Sequence, residues 1–370
     1  MNLSYWEIKT WLTNIDYTIV GSGIVGINCA LQLRNRFPKA KILILEKGIL
    51  PQGASTKNAG FACFGSLSEI IDDLNSHTKI EVINLIKKRI KGLNLLRETL
   101  SDKAIDYQNN GGFELFSKQD NKLLQDCLDR RNEINTLLNP IFNQDIFKIQ
   151  KNSFGFKNIE EHYIFNAFEG QIDTGKMMNA LLKKAQINDI KILNNIQIEE
   201  YVTANSSVKI KTNQVDFNTS KLLIATNGFA SRLINEKVEP ARAQVLITKP
   251  IKNLKIKGTF HLDKGYYYFR NIENRILFGG GRNLDFKTEN TSVFGQTEVI
   301  QNKLETLLKT TILPNTPFEI AHRWSGIMGI GKQKKPIVKQ IENNVYCGIR
   351  LGGMGVAIGS LVGKELADLV

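Results

Sequence analysis

The apolar positions of the chain fall into short runs, separated by stretches in which they recur at helical spacing. Residues 17–20 and 42–45 form strand-length runs rich in β-forming side chains, and residues 27–37 between them have a helical pattern. This order predicts a strand, a helix and a second, parallel strand, which together make a βαβ unit.

The pattern changes after this unit. Residues 67–100 and 121–138 are helical and flank a strand-like run at 111–116, which does not continue the βαβ alternation and predicts the start of a second domain. The first domain resumes with a helix at 175–185, capped by Asp173 or Thr174. There follow strands at 191–193, 196–202, 208–212 and 222–228, a β-rich insertion at 238–282, a strand at 345–348 and a helix at 357–369. The predicted fold class is α/β with two domains.

Three glycines follow the first predicted strand at the spacing G-x-G-x-x-G. Gly21 allows a tight turn, Gly23 lets a pyrophosphate approach the backbone, and Gly26 lets the helix pack on the strand. Glu46 ends the second strand, where a carboxylate holds the ribose hydroxyls in dinucleotide-binding proteins. This order predicts a dinucleotide site; the alternative is a glycine-rich turn in some other α/β protein.

A second glycine-rich turn, at 352–356, lies between the last predicted strand and the last predicted helix. Because the N-terminus of a helix attracts negative charge, this turn offers the same cofactor a second helix start. We therefore expect the two turns to grip opposite ends of one nucleotide.

Composition narrows the functional classes. The 370 residues are 42% hydrophobic and 23% charged, which is typical of a soluble protein. The formal charge of +13 allows a nucleic-acid partner, but the basic residues at 87–91 form one face of a predicted helix and no nucleic-acid fold signature accompanies them. No apolar run is long enough to cross a bilayer, and residues 1–11 lack a signal-peptide core. The cysteines have no C-x-x-C spacing, so we expect a cytoplasmic protein with reduced thiols.

Five motifs in order resemble those of the D-amino-acid oxidase superfamily of flavoproteins, in particular its glycine-oxidase and sarcosine-oxidase branch. They are the glycine fingerprint with Glu46, the loop at 53–60, the strand end at 224–228, the Trp324-Ser325-Gly326 turn and the turn at 352–356. The resemblance covers nearly all of the chain. Bacterial amine-oxidising members of the gamma-glutamylputrescine oxidase type carry a similar loop.

The resemblance implies a Rossmann-type FAD-binding domain, at 1–85, 165–235 and 326–370, interleaved with a β-sheet-rich substrate domain at 86–164 and 236–325. It also implies FAD as the cofactor. No histidine or cysteine stands at the family's attachment positions, so we expect the FAD to be non-covalent. The cofactor-binding residues implied are Gly21, Gly23, Ile24, Val25, Gly26, Glu46, Lys47, Ala54, Ser55, Ala59, Gly60, Phe61, Ile198, Thr226, Asn227, Gly228, Leu351, Gly352, Gly353, Met354, Gly355, Val356 and Ala357.

Three residues are candidates for the substrate side of the flavin. Tyr266 and Tyr268 share one face of a predicted strand, on which the family places a tyrosine that contacts the substrate carboxylate; the alternative is aromatic packing in the core. Arg350 ends a strand beside the second glycine turn, where a cation could meet the flavin O2 or an anionic substrate.

Three departures from the family pattern bear on the substrate and on the electron acceptor. Met328 and Gly353 stand where amino-acid-oxidising relatives carry carboxylate-binding arginines, which weighs against a bidentate clamp on a free α-amino acid. Leu277 stands in place of a lysine that sarcosine oxidase uses to activate oxygen. The acceptor is therefore left open between dioxygen and another molecule.

The function implied is an FAD-dependent oxidoreductase that oxidises the C–N bond of a small amine or N-substituted amino acid. A hydride passes to flavin N5, and the imine product is then hydrolysed. We expect no metal, because the histidines have no ligand spacing. The alternatives are a flavin dehydrogenase of a hydroxy acid or glycerol-phosphate-like alcohol, a non-catalytic flavin-binding subunit, and a role on tRNA.

Overall fold

A computed structural model describes residues 2–119 and 121–370; Met1 and Asp120, which the predicted domain ranges include, lie outside the described residues. The strands, in chain order, are β1 Ile15–Val20, β2 Ile42–Leu45, β3 Phe61–Ala62, β4 Gly112–Leu115, β5 Phe147–Lys151, β6 His162–Asn166, β7 Gly170–Gln171, β8 Lys191–Leu193, β9 Ile198–Thr203, β10 Val208–Thr212, β11 Phe217–Ile224, β12 Glu239–Thr248, β13 Thr259–Leu262, β14 Tyr267–Ile272, β15 Arg275–Gly280, β16 Ile320–Ile330, β17 Ile337–Glu342 and β18 Val345–Ile349.

The helices make up most of the remaining regular structure. The α-helices are α1 Tyr5–Glu7, α2 Ile24–Arg36, α3 Ala54–Lys57, α4 Leu67–Ser76, α5 Lys79–Leu100, α6 Asp102–Ile105, α7 Asn121–Phe142, α8 Thr174–Ile187, α9 Phe286–Glu289, α10 Glu298–Leu307 and α11 Gly355–Ala367. Short 3-10 turns occupy Asn227–Arg232 and Arg282–Leu284, and π turns occupy Ile8–Leu12 and Leu308–Ile312. No helix within the described residues is both long and apolar enough to span a bilayer.

The first sheet contains the predicted βαβ unit. Its strands run in the order β17-β18-β11-β1-β2-β8, and the hairpin β9–β10 joins it through β11. β1 pairs in parallel with β2 on one side and with β11 on the other, so Val20 lies opposite both Leu45 and Ile224. The carboxyl ends of these three strands therefore meet at one edge, which is where ligands bind in open α/β sheets.

Helices cover the apolar face of this sheet. α11 packs between α2 and α5, and α8 packs against α2. Leu96 of α5, Leu33 of α2 and Leu366 of α11 are fully buried in the same core. The sequence places most of α5 in the substrate domain, yet its buried side chains pack with the helices of the first sheet. The predicted domain boundaries stay a prediction.

Local capping explains where the helical region at 67–100 divides. α4 and α5 each begin with a capping box, formed by Ser66 with Glu69 and by Thr78 with Glu81. α2 begins at Ile24, three residues before the predicted start, with Gly23 as its N-cap in an extended conformation. Asp173 caps α8, as one of the two predicted alternatives had it.

The second sheet runs in the order β16-β12-β15-β14-β13-β4-β6-β5. Stacked aromatic rings form its core: Phe113, Phe260 and Phe269 lie one above another with centroids 5.0 and 4.5 Å apart. β4 pairs in parallel with β13, so a strand from the first half of the chain joins the predicted β-rich insertion. Two sheets, one largely parallel and one largely antiparallel, confirm the predicted α/β class with two parts.

Candidate functional site

A cavity of about 1150 Å³ lies between the two sheets. Its walls come from the carboxyl edge of the first sheet, the loop at 53–61, the turn at 351–356, and β13 and β14 of the second sheet. The predicted cofactor residues all line this cavity except Gly26, Gly228 and Ala357. Both glycine turns thus face one cavity, although about 330 residues separate them in the sequence.

The three exceptions are packed just behind the cavity wall. A Cβ atom on Gly26 would overlap the carbonyl oxygen of Gly21, so this glycine lets α2 approach β1. A Cβ atom on Gly228 would overlap the carbonyl oxygen of Met328. Ala357 is buried in α11. These residues lie behind the wall, and their contact with the cofactor stays a prediction.

The first glycine turn is held by a serine from the next loop. The amide of Ile24 donates a hydrogen bond of 2.9 Å to Ser55 Oγ. Ile24 starts α2, so its amide is one of the free donors at a helix N-terminus. The Ser55 oxygen therefore occupies a position in which an anionic oxygen of a ligand would accept a hydrogen bond from the Ile24 amide.

Glu46 is buried at the end of β2 and lines the cavity. Its Oε2 atom accepts hydrogen bonds from the Ser22 hydroxyl at 2.6 Å and from the Ser22 amide at 3.2 Å. Its Oε1 atom accepts a hydrogen bond of 2.9 Å from the Gly48 amide. A carboxylate has about four acceptor positions, so one position is left for a ligand hydroxyl.

Side-chain hydrogen bonds of Asn58 and Arg270 hold the loop at 53–61 in place. Asn58 Oδ1 accepts hydrogen bonds from the Gly60 amide at 2.8 Å and from the Thr174 hydroxyl at 2.9 Å. Arg270, which is buried, donates to the carbonyl oxygens of Ala59 and Ile172. Burial lowers the pKa of this guanidinium to about 10, and it still carries its charge at neutral pH.

The turn at 351–356 is hydrogen-bonded to the segment that follows β11 and to the end of β16. Asn227 Oδ1 accepts a hydrogen bond of 3.1 Å from the Leu351 amide. The Gly352 amide donates 2.9 Å to the carbonyl oxygen of Gly329. Gly353 and Gly355, at the start of α11, line the cavity.

Arg350 does not line the cavity, and its proposed contact with the flavin or an anionic substrate stays a prediction. Its guanidinium donates to the carbonyl oxygen of Lys335 at 2.8 and 3.0 Å and to that of Lys237 at 3.3 Å. Arg350 has a left-handed backbone, with φ of 63°, at the end of β18. The side chain consequently binds neighbouring loops, and it does not line the cavity.

Tyr266 and Tyr268 both line the cavity. Tyr266 is 39% exposed and contacts the ring of Phe286, with centroids 5.9 Å apart. Tyr268 meets the ring of Phe61 edge-on at 5.7 Å, and burial raises its pKa to about 12. Neither hydroxyl has a hydrogen-bond partner among residues 2–119 and 121–370, so both are available to a ligand.

The sequence did not reveal a buried cluster of Cys63, Glu169 and His261. His261 Nε2 lies 2.5 Å from Glu169 Oε1, and the ligand atoms of all three residues lie within 4.8 Å of one another. Burial on its own would lower the pKa of His261, but the Glu169 carboxylate outweighs it and raises that pKa to about 9. Cys63 and His261 line the cavity. The three residues are far apart in sequence, so no local spacing could have indicated the cluster.

Comparison with known families assigns the chain. The model of the DAO family, described as FAD dependent oxidoreductase, matches residues 16–369. The chain belongs to the DAO family of FAD-dependent oxidoreductases.

Two named relatives and one solved structure cover almost the whole chain at low identity. The probable oxidoreductase OrdL of Haemophilus influenzae is 18% identical over 98% of this chain and 84% of its own length. The gamma-glutamylputrescine oxidoreductase of Escherichia coli is 21% identical over 96% of this chain and 83% of its own length. The structure of glycine oxidase from Geobacillus kaustophilus superposes with a TM-score of 0.76, at 18% identity over 96% of this chain and 94% of that one. The likeness to the solved structure confirms the fold.

The DAO family implies FAD, and the residues of this cavity fit it. The volume exceeds the roughly 300–1000 Å³ of ordinary ligand pockets, as a dinucleotide together with a substrate requires. The Thr226 hydroxyl lines the cavity, is buried, and has no hydrogen-bond partner among the described residues. Gly23, Gly53 and Gly352 let a ligand approach the backbone, since no side chains project there.

Proposed function

We propose that this chain oxidises the C–N bond of a small amine or N-substituted amino acid with non-covalently bound FAD. The observation that carries the proposal is that one cavity joins both glycine turns with Tyr266 and Tyr268, while Met328 and Gly353 supply no arginine clamp. The names of two DAO-family relatives, a gamma-glutamylputrescine oxidoreductase and a glycine oxidase, support amine or amino-acid chemistry.

In this proposal, FAD supplies a hydride acceptor, N5 of its ring system, when it is bound. Glu46 and the amides at the start of α2 would hold the adenosine and pyrophosphate end. The amides of 351–356, at the start of α11, would face the other end and stabilise negative charge there. Apolar side chains that line the cavity, including Val245 and Ile327, exclude water from the C–H bond that is broken.

The tyrosines orient the substrate. Because burial raises the pKa of Tyr268 to about 12, its hydroxyl is neutral at pH 7 and acts as a hydrogen-bonding group instead of a base. The substrate amine must lose its proton before the hydride leaves, since an ammonium has no lone pair to stabilise the developing cation. The imine product then dissociates and is hydrolysed in water.

Two features of the cavity bear on the attachment of FAD and on the acceptor. Burial raises the pKa of the Cys63 thiol well above its ordinary value, so the thiol is protonated and unsuited to form a covalent bond to the cofactor. Leu277 is buried with Ala59 and Val245 and brings no charge near the cavity. We propose slow reaction with dioxygen and a second acceptor, such as a quinone.

The test is anaerobic reduction of the purified, FAD-loaded protein, followed by the loss of flavin absorbance. A panel of primary and N-substituted amines should bleach the flavin, and free α-amino acids should do so poorly. Bleaching by hydroxy acids alone would favour the alcohol dehydrogenase alternative. A bound flavin that no compound reduces would favour a non-catalytic subunit, and a colourless protein without FAD affinity would contradict every version.

A further inference from the structure

One guanidinium on the cavity wall lacks a carboxylate partner. Arg282 begins the 3-10 turn that follows β15, and it lines the cavity. Its Nη2 atom donates a hydrogen bond of 2.5 Å to Asn290 Oδ1, while Nη1 and Nε have no hydrogen-bond partner among the described residues. The side chain forms no ion pair within residues 2–119 and 121–370. Arg282 therefore keeps free N–H donors on a half-buried charge.

Two carboxylates act on Arg282 from a distance. Glu289 is fully buried and bound by Arg242, whose Nε and Nη2 atoms donate hydrogen bonds of 2.8 and 2.7 Å to its two oxygens. Glu239 is exposed at the start of β12. Burial lowers the pKa of Arg282 more than these two carboxylates raise it, so the pKa lies below its ordinary value. An anion bound at this place would therefore stabilise the charge.

Two lysines on the same wall differ from Arg282, because each has an acidic partner. Lys264 Nζ lies 3.1 Å from Asp72 Oδ1, and Lys334 forms an ion pair with the buried Asp73. These two positive charges are thus balanced by α4. Arg282 has no such carboxylate in the part of the chain that the structure describes.

Glu69 also lines this wall, and its charge is compensated from the protein interior. Its Oε2 atom accepts a hydrogen bond of 2.9 Å from the Ser66 amide. The buried Arg89 guanidinium and the buried His261 both attract it. Glu69 is therefore not a free negative charge set against Arg282.

Arg282 lies next to Tyr266, on the outer part of the wall. The Gly281 amide donates a hydrogen bond of 2.9 Å to the Tyr266 carbonyl oxygen, so the pairing of β14 with β15 extends to these two residues. The ring of Phe286 lies 4.8 Å from the guanidinium carbon of Arg282 and 5.9 Å from the Tyr266 ring, measured from its centroid. Tyr266 and Phe286 are 39% and 43% exposed, which places this group near the opening of the cavity.

The second substrate-side tyrosine is less exposed and lies closer to the predicted flavin loop. Tyr268 is two residues beyond Tyr266 on the same face of the chain, a step of roughly 6.5 Å. Its ring meets Phe61, in the loop at 53–61, at 5.7 Å. A molecule whose reacting carbon lies beside Phe61 and Tyr268 would therefore reach Arg282 only with its far end.

We propose that Arg282 binds a carboxylate at the far end of the amine substrate. The inference rests on the proposed amine oxidation. Nη1 and the second N–H of Nη2 offer paired donors that match the two oxygens of a carboxylate, and the Phe286 ring supports the guanidinium plane. The substrate class is therefore an ω-amino acid, which is oxidised at its amine end and held at its carboxylate end. The family's carboxylate-binding arginines stand elsewhere, at the positions of Met328 and Gly353.

The experiment compares 4-aminobutanoate with butylamine, which lacks only the carboxylate. In the FAD-loaded wild type, 4-aminobutanoate should reduce the flavin anaerobically at a lower half-saturating concentration than butylamine. Arg282→Met should raise that concentration for 4-aminobutanoate roughly tenfold or more, and leave it unchanged for butylamine. Arg282→Lys keeps the charge without the paired donors and should give a smaller increase. The limiting rate of reduction should change little, because Arg282 lies away from the reacting bond.

The matched control is Arg275→Met. Arg275 begins β15, the strand that Arg282 follows, and is also half-buried, but it does not line the cavity. The control separates the general loss of a positive charge from the loss of a ligand contact. Equal weakening of both compounds in Arg282→Met, or an equal effect of Arg275→Met on 4-aminobutanoate, would overturn the inference.

A second measurement does not depend on turnover, because butanoate has the carboxylate but no amine. Butanoate should raise the melting temperature of the FAD-loaded wild type and of Arg275→Met, but not that of Arg282→Met. If neither amine reduces the flavin, the proposed function fails, and the melting temperatures still decide whether Arg282 binds a carboxylate. If both amines reduce the flavin at equal concentrations, and butanoate stabilises the wild type and Arg282→Met alike, the function stands and the inference is wrong.

Discussion

The hydroxyl of Ser22 donates a hydrogen bond of 2.6 Å to the Oε2 atom of Glu46, and so joins the first glycine turn to the end of the neighbouring strand. Both residues are buried, and the Ser22 amide reinforces the bond at 3.2 Å. The acid that the sequence assigns to ribose binding therefore also fixes the turn that precedes α2.

Glu46→Gln should weaken FAD binding at least about tenfold and lower the free energy of unfolding by about 1–3 kcal/mol, because an amide cannot replace both acceptor oxygens. Equilibrium titration with FAD and urea unfolding measure the two effects. Glu199→Gln, which changes an exposed acid at the cavity edge, is the control and should alter neither by more than about twofold or 0.5 kcal/mol. Similar losses in both variants would contradict a specific role for Glu46.

Gly26→Ala should destabilise the fold by about 3 kcal/mol and abolish FAD binding, because the added methyl group overlaps the Gly21 carbonyl oxygen. Gly53→Ala is the matched control: no heavy atom lies within 4 Å of an added Cβ atom there, so the cost should stay within about 1 kcal/mol. Urea unfolding of the two variants tests the difference. A mild effect of Gly26→Ala would show that α2 does not pack closely on the turn.

Arg270→Met should cost roughly 3 kcal/mol or more, because it leaves the buried carbonyl oxygens of Ala59 and Ile172 without donors. The half-buried Arg275 provides the comparison. Arg275→Met removes a weak pair with Glu273 and one hydrogen bond of 3.1 Å to the carbonyl oxygen of Thr248, and should cost about 1 kcal/mol. Loss of FAD affinity should accompany the first change only, as the loop at 53–61 loses its support. Equal unfolding energies would refute this account.

His261 should make stability depend on pH. Its pKa in the folded protein is about 9, above the ordinary value of 6.5, so its protonation stabilises the fold fully below pH 6.5. That contribution, about 3 kcal/mol at roughly 1.4 kcal/mol per pKa unit, is lost as the pH rises through 9. The difference in unfolding free energy between the wild type and Glu169→Gln should therefore shrink from pH 6.5 to 9.5. Parallel curves over this range would rule out the ion pair.

Denaturation should release the cofactor intact. If FAD is held only by backbone amides, Glu46 and packing, then acid precipitation of the holoprotein should leave all of the yellow colour in the supernatant. Chromatography should identify it as FAD, and the Cys63→Ala variant should behave in the same way. Flavin that stays with the wild-type precipitate, but not with that of Cys63→Ala, would show a covalent bond to this thiol.

The elements that the sequence predicted well are those with local causes. The strand at 42–45 has the predicted bounds, because a run of four buried aliphatic residues forms it whatever its neighbours are. The start of α2 was placed three residues late, since the pattern of apolar residues begins after the helix does. The glycine spacing within residues 16–26 was enough to indicate a dinucleotide site, because each glycine is required by local steric contacts.

The direction of the Arg350 side chain is a feature that the local sequence pattern does not determine. Its position at a strand end was read correctly, but the direction of its side chain depends on Lys237 and Lys335, which come from other parts of the chain. The pairing of His261 with Glu169 depends on β13 and on the segment after β6 coming together, and no spacing along the chain encodes it.

The sequence by itself determined the βαβ unit, its glycine turn, the second helix start near the C-terminus and membership in a flavoprotein superfamily. Backbone hydrogen bonding and steric contacts act over a few residues, so the elements that depend on them can be predicted from the local sequence. Only the tertiary structure decided which charged groups reach the cavity, because burial and pairing depend on contacts between distant segments.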